Sequence, residues 1–596
     1  MSRSSSGTLG LGAAGLVLWV VAVRQADFLR MGSLGLVSVL GWPYFVGLGL
    51  VVAGTALELL RTPLRANRLI VLIIVLVVFL YGTACAVEPV AALGDSWLHA
   101  GFVQYIFQHG HALNNYDARF SWPGGFSLGA VLVAFAGQSN ALDFLRWFPL
   151  VVELLYLAPL VVIARSSGVG RRAGWLGVAL FYATNWIYQD YFSPQALTYL
   201  FFLVVLATVL ASWEPRARLR TAAVREGLRE RVADTRASIT RLRLGGHEAT
   251  AVRGSRTTLG LLGLLGLLCL ASAISHQLTP FALILALVAC LLTRRLGRPE
   301  LIVVAALVAV GWLSLGASNY WIGHLSDIFG SFGHLSSTFG SNVTSRVTGS
   351  ASHRFVVDAR ILAIIALYLL AGVGILRRSP NSRSLEVLAG APFLLLVVQD
   401  YGGEGLLRAV LFSLPFTCLL AASAILPNRT GPIRPLLARN RLGEHGRTAL
   451  RWTVAVVVVG FCVATTVVRG GNDAFEAFSS GELAAVNFAY DHVQSGQTIA
   501  MVAPYLPCGQ RDITSVQCFV AADAGGNPTL RYDRSELLRT RPAFIILSQS
   551  QEAWGEIVAG YPKGWESSLE DALVQDNYRI AARWPTATVL RADRST

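Results

Sequence analysis

Long apolar runs recur along the first 470 residues of this chain, and short arginine-bearing segments separate them. A run of about 20 apolar residues has nowhere to bury every side chain except a bilayer. Backbone amides in hydrocarbon must also bond within their own segment, which leaves the helix as the way across. Thirteen such spans are read, at 8–23, 33–60, 69–87, 147–164, 174–189, 196–213, 258–275, 279–293, 300–316, 359–376, 385–399, 405–426 and 450–469. Composition agrees: 54% of the residues are hydrophobic and 14% are charged, and the mean hydropathy is +0.54. The expected fold class is therefore a polytopic α-helical membrane protein.

The net charge of +14 is almost all arginine, with Lys563 as the only lysine. Most of these arginines sit in short loops between spans, which is the positive-inside pattern and not a nucleic-acid footprint. Arg61, Arg65 and Arg68 mark one cytoplasmic loop, and Arg165, Arg171 and Arg172 the next. Arg294, Arg295 and Arg298, then Arg377, Arg378 and Arg383, and finally Arg429 to Arg447 mark the others. This places the N-terminus in the cytoplasm, the C-terminus outside, and the whole as a multi-pass protein of the plasma membrane. No cleavable signal is expected, because the first apolar run lacks a small-residue cleavage site.

One segment tests the orientation. Phe126 to Gly137 is apolar but only about a dozen residues long, so it is read as re-entrant or interfacial and left out of the crossings. Counted as a crossing, it would invert everything after it. The cytoplasmic insert 214–257 carries eleven arginines, with Val224, Leu228, Val232, Ile239 and Leu242 at roughly helical spacing. That pattern suits an amphipathic helix on anionic lipid, or a solvated basic helix. The outer loop 317–358 repeats His324-Leu325-Ser326 as His334-Leu335-Ser336, within a Gly-, Ser- and Phe-rich stretch. It reads as a flexible loop able to close over a lipid or sugar, or as a plain connector.

The transmembrane domain is thus expected over 1–469, with extracytoplasmic loops at 88–146 and 317–358. Residues 470–596 form a separate soluble domain. Strands are read at Ile499–Ala503, Phe544–Leu547 and Arg579–Ala582, and helices at Glu482–Val493 and Ser567–Val574, which makes it a small α/β domain. It has no GxGxxG or Walker A run, so nucleotide binding is not indicated. Cys508 and Cys518 lie ten residues apart in this outer domain and are candidates for a disulfide. The other five cysteines lie in apolar runs, and no Cys/His cluster has zinc spacing.

Chemistry-bearing residues gather at outward span ends. Gly94-Asp95-Ser96-Trp97-Leu98-His99 follows the third span, and a helix puts Asp95 and His99 on one face. Asp190 lies in the tip Gln189 to Gln195, and His276 in the tip Ser275 to Pro280. Asp400 and Glu404 lie in the tip Gln399 to Gly405, followed by Arg408. Asp95 and Asp190 are candidate catalytic acids, able to act as general base or to hold an acceptor hydroxyl. His99, His276, Asp400, Glu404 and Arg408 are candidates for binding substrate, Arg408 through a two-pronged contact with phosphate. Each has a plainer reading: Asp95 as a helix cap, Asp190, Asp400 and Glu404 as turn residues, His276 as a structural histidine, Arg408 snorkelling to the interface.

With an acid in the first large outer loop, a Pro-containing segment at Trp122-Pro123-Gly124, a second acid at Asp190 and a soluble outer C-terminal domain, the chain resembles the GT-C superfamily. These are integral-membrane glycosyltransferases that use polyprenyl-phosphate sugars. The likeness covers roughly 69–426. Gly405-Leu406-Leu407-Arg408 is only loosely similar to the Gly-Arg-Tyr-like motif of the mannosyl and aminoarabinose transferase branches. The first loop has one acid where several such families have two, and two spans precede the usual first one. The resemblance implies hexosyl or pentosyl transfer from a polyprenyl-phosphate-linked donor to a glycan, lipid or protein acceptor of the cell envelope. It leaves a divalent metal open. Three other functions stay in view. A polysaccharide polymerase or ligase is disfavoured, because the outer loop 317–358 has only Arg346 and Arg354. A lipid-linked-sugar transporter is disfavoured by charges at span ends instead of mid-membrane. A non-catalytic envelope-assembly scaffold is the third.

Overall fold

The computed structural model describes residues 7–113, 115–215, 249–251, 255–320, 349–377, 383–398, 404–426, 444–521 and 534–593. The basic insert lies almost wholly outside them, as do the His-Leu-Ser repeat of the 317–358 loop and Asp400. Among the described residues, eight helices are long and apolar enough to cross a membrane: Gly7–Gln25, Trp42–Leu59, Ala66–Val87, Phe148–Ser166, Pro194–Ser212, Ala351–Leu376, Gly405–Ile425 and Thr448–Glu476. Shorter apolar helices, Leu259–Ser275, Thr279–Leu292 and Glu300–Gly316, stand among them. The protein is a polytopic helical membrane protein with a small C-terminal sheet domain.

Several expected spans differ in detail, each for a local reason. The span read at 33–60 begins only at Trp42, where Pro43 occupies the first helical turn. The preceding residues form two short 3-10 turns, the first capped by Asp27, whose carboxylate accepts from the Leu29 amide at 3.1 Å. The span read at 385–399 is broken. It is helical over Arg383–Gly390, a 3-10 turn over Ala391–Leu394, and helical again over Leu395–Val398. Pro392 lacks an amide hydrogen and sits at the break. The span read at 359–376 starts earlier, at Ala351, where the Ser350 hydroxyl accepts from the His353 amide at 3.3 Å.

The span read at 174–189 departs most usefully. Its helix, Arg171–Thr184, lies at the centre of the bundle with every residue from Ala173 to Thr184 buried. It stops five residues short, and the chain continues as irregular backbone past Asn185, with Tyr188 at a φ of +62°. Irregular backbone at this depth survives only where protein supplies the missing hydrogen bonds. The Tyr81 hydroxyl does so, reaching the carbonyls of Tyr182 at 2.8 Å and Asn185 at 3.2 Å. The Asn185 side-chain amide donates to the Glu153 carboxylate at 2.7 Å.

The apolar segment 126–137 is a helix, Gly124–Phe135, of 12 residues. At 1.5 Å per residue it reaches about 18 Å, well short of a hydrocarbon core of about 30 Å. It packs beside the Gly94–His109 helix, its Gly129 against Val103.

The C-terminal domain is a five-stranded mixed sheet. In spatial order its strands are Gln517–Val520, Thr498–Met501, Phe544–Ser548, Ala587–Ala592 and Tyr578–Trp584. The first three pair in parallel and the last two join antiparallel. Phe544–Ser548 is central and buried on both faces. Phe544 and Ile546 pack with Ala485, Val486 and Ala489 of the Ser480–His492 helix. Ile545 and Leu547 pack on the other side with Leu537 and with Trp565, Leu569 and Leu573. The Ser480–His492 helix opens on a capping box, Ser479 with Glu482. Sequence reading missed the strands Gln517–Val520 and Ala587–Ala592 and the helix Arg534–Thr540.

The domain sits directly on the bundle. A Cβ at Gly101 would stand 1.9 Å from the Gly509 carbonyl oxygen, so the Gly94–His109 helix and the 504–516 loop meet backbone to backbone. Gly509 has a φ of +87° that glycine adopts without strain. The loop is closed by the Cys508–Cys518 disulfide.

Candidate active site

Between the bundle and the C-terminal domain lies a cavity of about 830 Å³. The Gly94–His109 helix supplies one wall, through Asp95, Leu98 and His99. The irregular backbone after Thr184 supplies the next, through Trp186 to Gln189. His276, Arg360, Arg408 and Arg469 come from the bundle, and Met501, Tyr505 and the disulfide loop close the cavity from the C-terminal domain.

Asp95 stands in the first turn of its helix because the chain turns sharply just before it. Leu93 has a φ of +64°, unusual for a residue with a branched side chain, and its amide donates to the Glu476 carbonyl at 2.9 Å. The Asp95 side chain is 58% exposed, and its Oδ1 accepts from Arg119 Nη1 at 3.1 Å. Arg119 is held mainly by Asp117, with Nε and Nη2 each at 2.9 Å from its carboxylate. Its guanidinium lies 5.4 Å from the Phe102 ring centre. Burial pushes the Asp117 carboxyl up, but the Arg119 contacts outweigh it and hold the group below its ordinary value. Arg119 is thus shared between two carboxylates, and among the described hydrogen bonds only Oδ1 of Asp95 is engaged.

His99 lies one turn further on and is buried. Its Nδ1 is 2.9 Å from the Phe192 carbonyl, which can only accept, so Nδ1 carries the proton and Nε2 is the acceptor. The ring stacks on Tyr191, with centres 5.8 Å apart. Burial lowers its pKa to about 4, against an upward pull from Asp95. At neutral pH it is an uncharged ring. His276 has the opposite tautomer. Its Nδ1 accepts from the amides of Leu278 at 3.3 Å and Thr279 at 3.2 Å, and closes the turn into the Thr279–Leu292 helix. Burial lowers it to about 3, so it meets the cavity as a neutral N–H donor and not as a cation.

Arg408 is buried at the start of the Gly405–Ile425 helix and donates to Glu404 at 2.6 Å and to the Gln189 side-chain carbonyl. Glu404 lines the same cavity. Asp190 does not line it. Both its oxygens are taken by Arg469, at 3.0 and 2.9 Å, with Asp190 3% exposed. Arg469 lies between the rings of Tyr81 and Tyr188, 4.7 and 4.5 Å from their centres. It is Arg469, and not Asp190, that reaches the cavity.

The cavity thus gathers Arg119, Arg360, Arg408 and Arg469 against Asp95, Glu404 and Glu476. Three of the arginines were missed in sequence. Arg360 and Arg469 had a legible signal: both stand at span ends that the arginine bias predicts to face outward, where that bias disfavours arginine unless something holds it. Among the described residues, no group of three or more His, Cys, Asp and Glu side chains could hold a metal ion.

No known protein family matches the sequence, and no curated protein matches it. Among solved structures, the chain is similar to an Archaeoglobus fulgidus oligosaccharyltransferase tethered to an acceptor peptide, with 12% identity over 82% of this chain and 70% of that one, at a TM-score of 0.48. It is similar to ArnT from Cupriavidus metallidurans bound to undecaprenyl phosphate, with 14% identity over 89% of this chain and 99% of that one, also at 0.48. A third is the archaeal oligosaccharyltransferase AglB from Archaeoglobus fulgidus in complex with an inhibitory peptide and a dolichol-phosphate, with 11% identity over 86% and 72%, at 0.47.

Proposed function

We propose that this chain is a membrane glycosyltransferase of the GT-C kind, moving a sugar from a polyprenyl-phosphate donor to an envelope acceptor on the extracytoplasmic face. The observation that carries the reading is one cavity between the bundle and the C-terminal domain, with an exposed carboxylate, Asp95, on one wall and buried arginines on the others. Asp95 takes the proton of the acceptor hydroxyl as that oxygen bonds to the anomeric carbon. The bond from that carbon to the phosphate oxygen breaks, and the polyprenyl phosphate leaves with the electron pair. Guanidinium groups held before the reaction match the charge that develops on it.

The residues divide by what already occupies them. Asp95 has the exposure and the spare oxygen a base needs. Arg408 faces the cavity, and its pairing with Glu404 and Gln189 fixes its direction. Asp190 is a positioning residue, acting through Arg469. His99 packs and orients the Asp95 helix, and His276 offers a neutral donor.

The test uses purified protein with radiolabelled polyprenyl-phosphate sugars and membrane extract as acceptor, comparing wild type with Asp95→Asn. Wild-type transfer with a loss of about 10²- to 10⁴-fold in the variant is expected for removal of a general base. Transfer by the variant at the wild-type rate would remove Asp95 from that role. No transfer by the wild type from any such donor sinks the functional reading.

A further inference from the structure

A second cavity, of about 450 Å³, lies at the other end of the bundle. It is formed where the Phe148–Ser166 helix turns into the Arg171–Thr184 helix. The latter runs 14 residues, about 21 Å, before its chain reaches the first cavity at Trp186. The two cavities therefore lie toward opposite faces of the membrane.

Its lining is unlike a packing defect. Arg165 and Arg171 flank it and are exposed, and no carboxylate lines it. No described hydrogen bond or ion pair engages either arginine, whereas their neighbours are tied down. Arg172 donates to the Arg61 carbonyl and the Thr62 hydroxyl, each at 2.9 Å, and Arg295 donates to the Ser166 carbonyl at 3.1 Å. The floor is small: Ala164, Gly168, Gly170 and Gly174 carry at most a methyl group, while Val161, Trp175 and Val178 make the wall toward the bundle apolar. A charged mouth over an apolar wall, with a volume inside the range of about 300–1,000 Å³ usual for ligand sites, fits a group that is anionic at one end and hydrocarbon at the other.

We propose that this cavity binds the headgroup of an anionic phospholipid, its phosphate between Arg165 and Arg171 and the start of its chains along Val161 and Val178. A phosphate diester can accept from two guanidinium groups at once, and attraction to anionic lipid near a membrane surface is strong enough to select it over a zwitterion. The inference stands apart from the glycosyl-transfer reading, since no residue is shared with the first cavity.

Native mass spectrometry of the delipidated full-length protein, titrated with phosphatidylglycerol or phosphatidylcholine, tests it. One phosphatidylglycerol adduct should survive activation that strips phosphatidylcholine. Arg165→Gln with Arg171→Gln should weaken that adduct about thirtyfold, from the usual contribution per basic side chain near such a surface. Val161→Trp, which fills the cavity and keeps both charges, should weaken it as well. An adduct unchanged in the double variant overturns the site. Loss in the double variant with retention in Val161→Trp moves the lipid onto the open surface and overturns the cavity as its seat. Displacement by millimolar inorganic phosphate, with no preference between the lipids, assigns the arginines to free phosphate and overturns the lipid.

Discussion

Asp190→Ala separates a positioning acid from a catalytic one. In the wild type, Asp190 supplies both hydrogen-bond acceptors that Arg469 has among the described residues, at 3.0 and 2.9 Å. Both partners are buried, with side chains 3% and 8% exposed. Removing the carboxylate leaves a buried guanidinium, lying over the faces of Tyr81 and Tyr188, without the acceptors it had. Breaking one half of a buried pair costs about 3–5 kcal/mol, and the contacts with the two ring faces are there before and after the change. A destabilisation of that size is expected, read as a lowered midpoint in detergent thermal unfolding. Arg469→Met combined with Asp190→Ala should recover most of it, because an apolar replacement of both partners leaves no charge stranded. Transfer activity should stay low in the double variant, since the cavity loses one of its four arginines. An Asp190→Ala protein as stable as wild type, or a double variant no better than the single, would refute the pairing argument and return Asp190 to the list of chemical acids.

Asp95→Asn should behave in the opposite way, with transfer lost but the unfolding midpoint nearly unmoved, because its exposed pair with Arg119 contributes at most about 1 kcal/mol. Gly101→Val puts a side chain into the Gly509 carbonyl. It should loosen the C-terminal domain by about 1–3 kcal/mol and raise protease cleavage in the 504–516 loop, while Gly49→Ala, whose Cβ meets nothing within 4 Å, leaves the digest unchanged. His99 titrates near 6.5 when unfolded and near 4 when folded, so between those values the unfolded chain holds more protons. Stability present above pH 6.5 should fall as pH drops toward 4, by on the order of 3 kcal/mol, and His99→Gln should flatten that part of the pH–midpoint curve.

The helical bundle and the presence of a C-terminal sheet domain were legible because they depend on local chemistry. A run of apolar side chains, an arginine beside it and a Ser-x-x-Glu cap each act within a turn or two of their own residue. The Asp95 turn was legible for the same reason, since a helix starting there puts an acid at its mouth. What chain-local patterns cannot carry is pairing between residues hundreds of positions apart. Asp190 and Asp95 look alike in sequence, as acids at outward tips. Only the packing of the Glu444–Gly470 helix brings Arg469 onto Asp190 and leaves Asp95 without such a partner. Likewise His99 and His276 are both histidines near a span end, and it is the carbonyl of Phe192 in one case and the amides after the turn in the other that give them opposite tautomers. Hydropathy and charge bias decided which parts of this chain enter the membrane and at which end its chemistry gathers. Tertiary structure decided which of those charges are neutralised by a buried partner and which remain available to a substrate, because desolvation and pairing act through space and not along the chain.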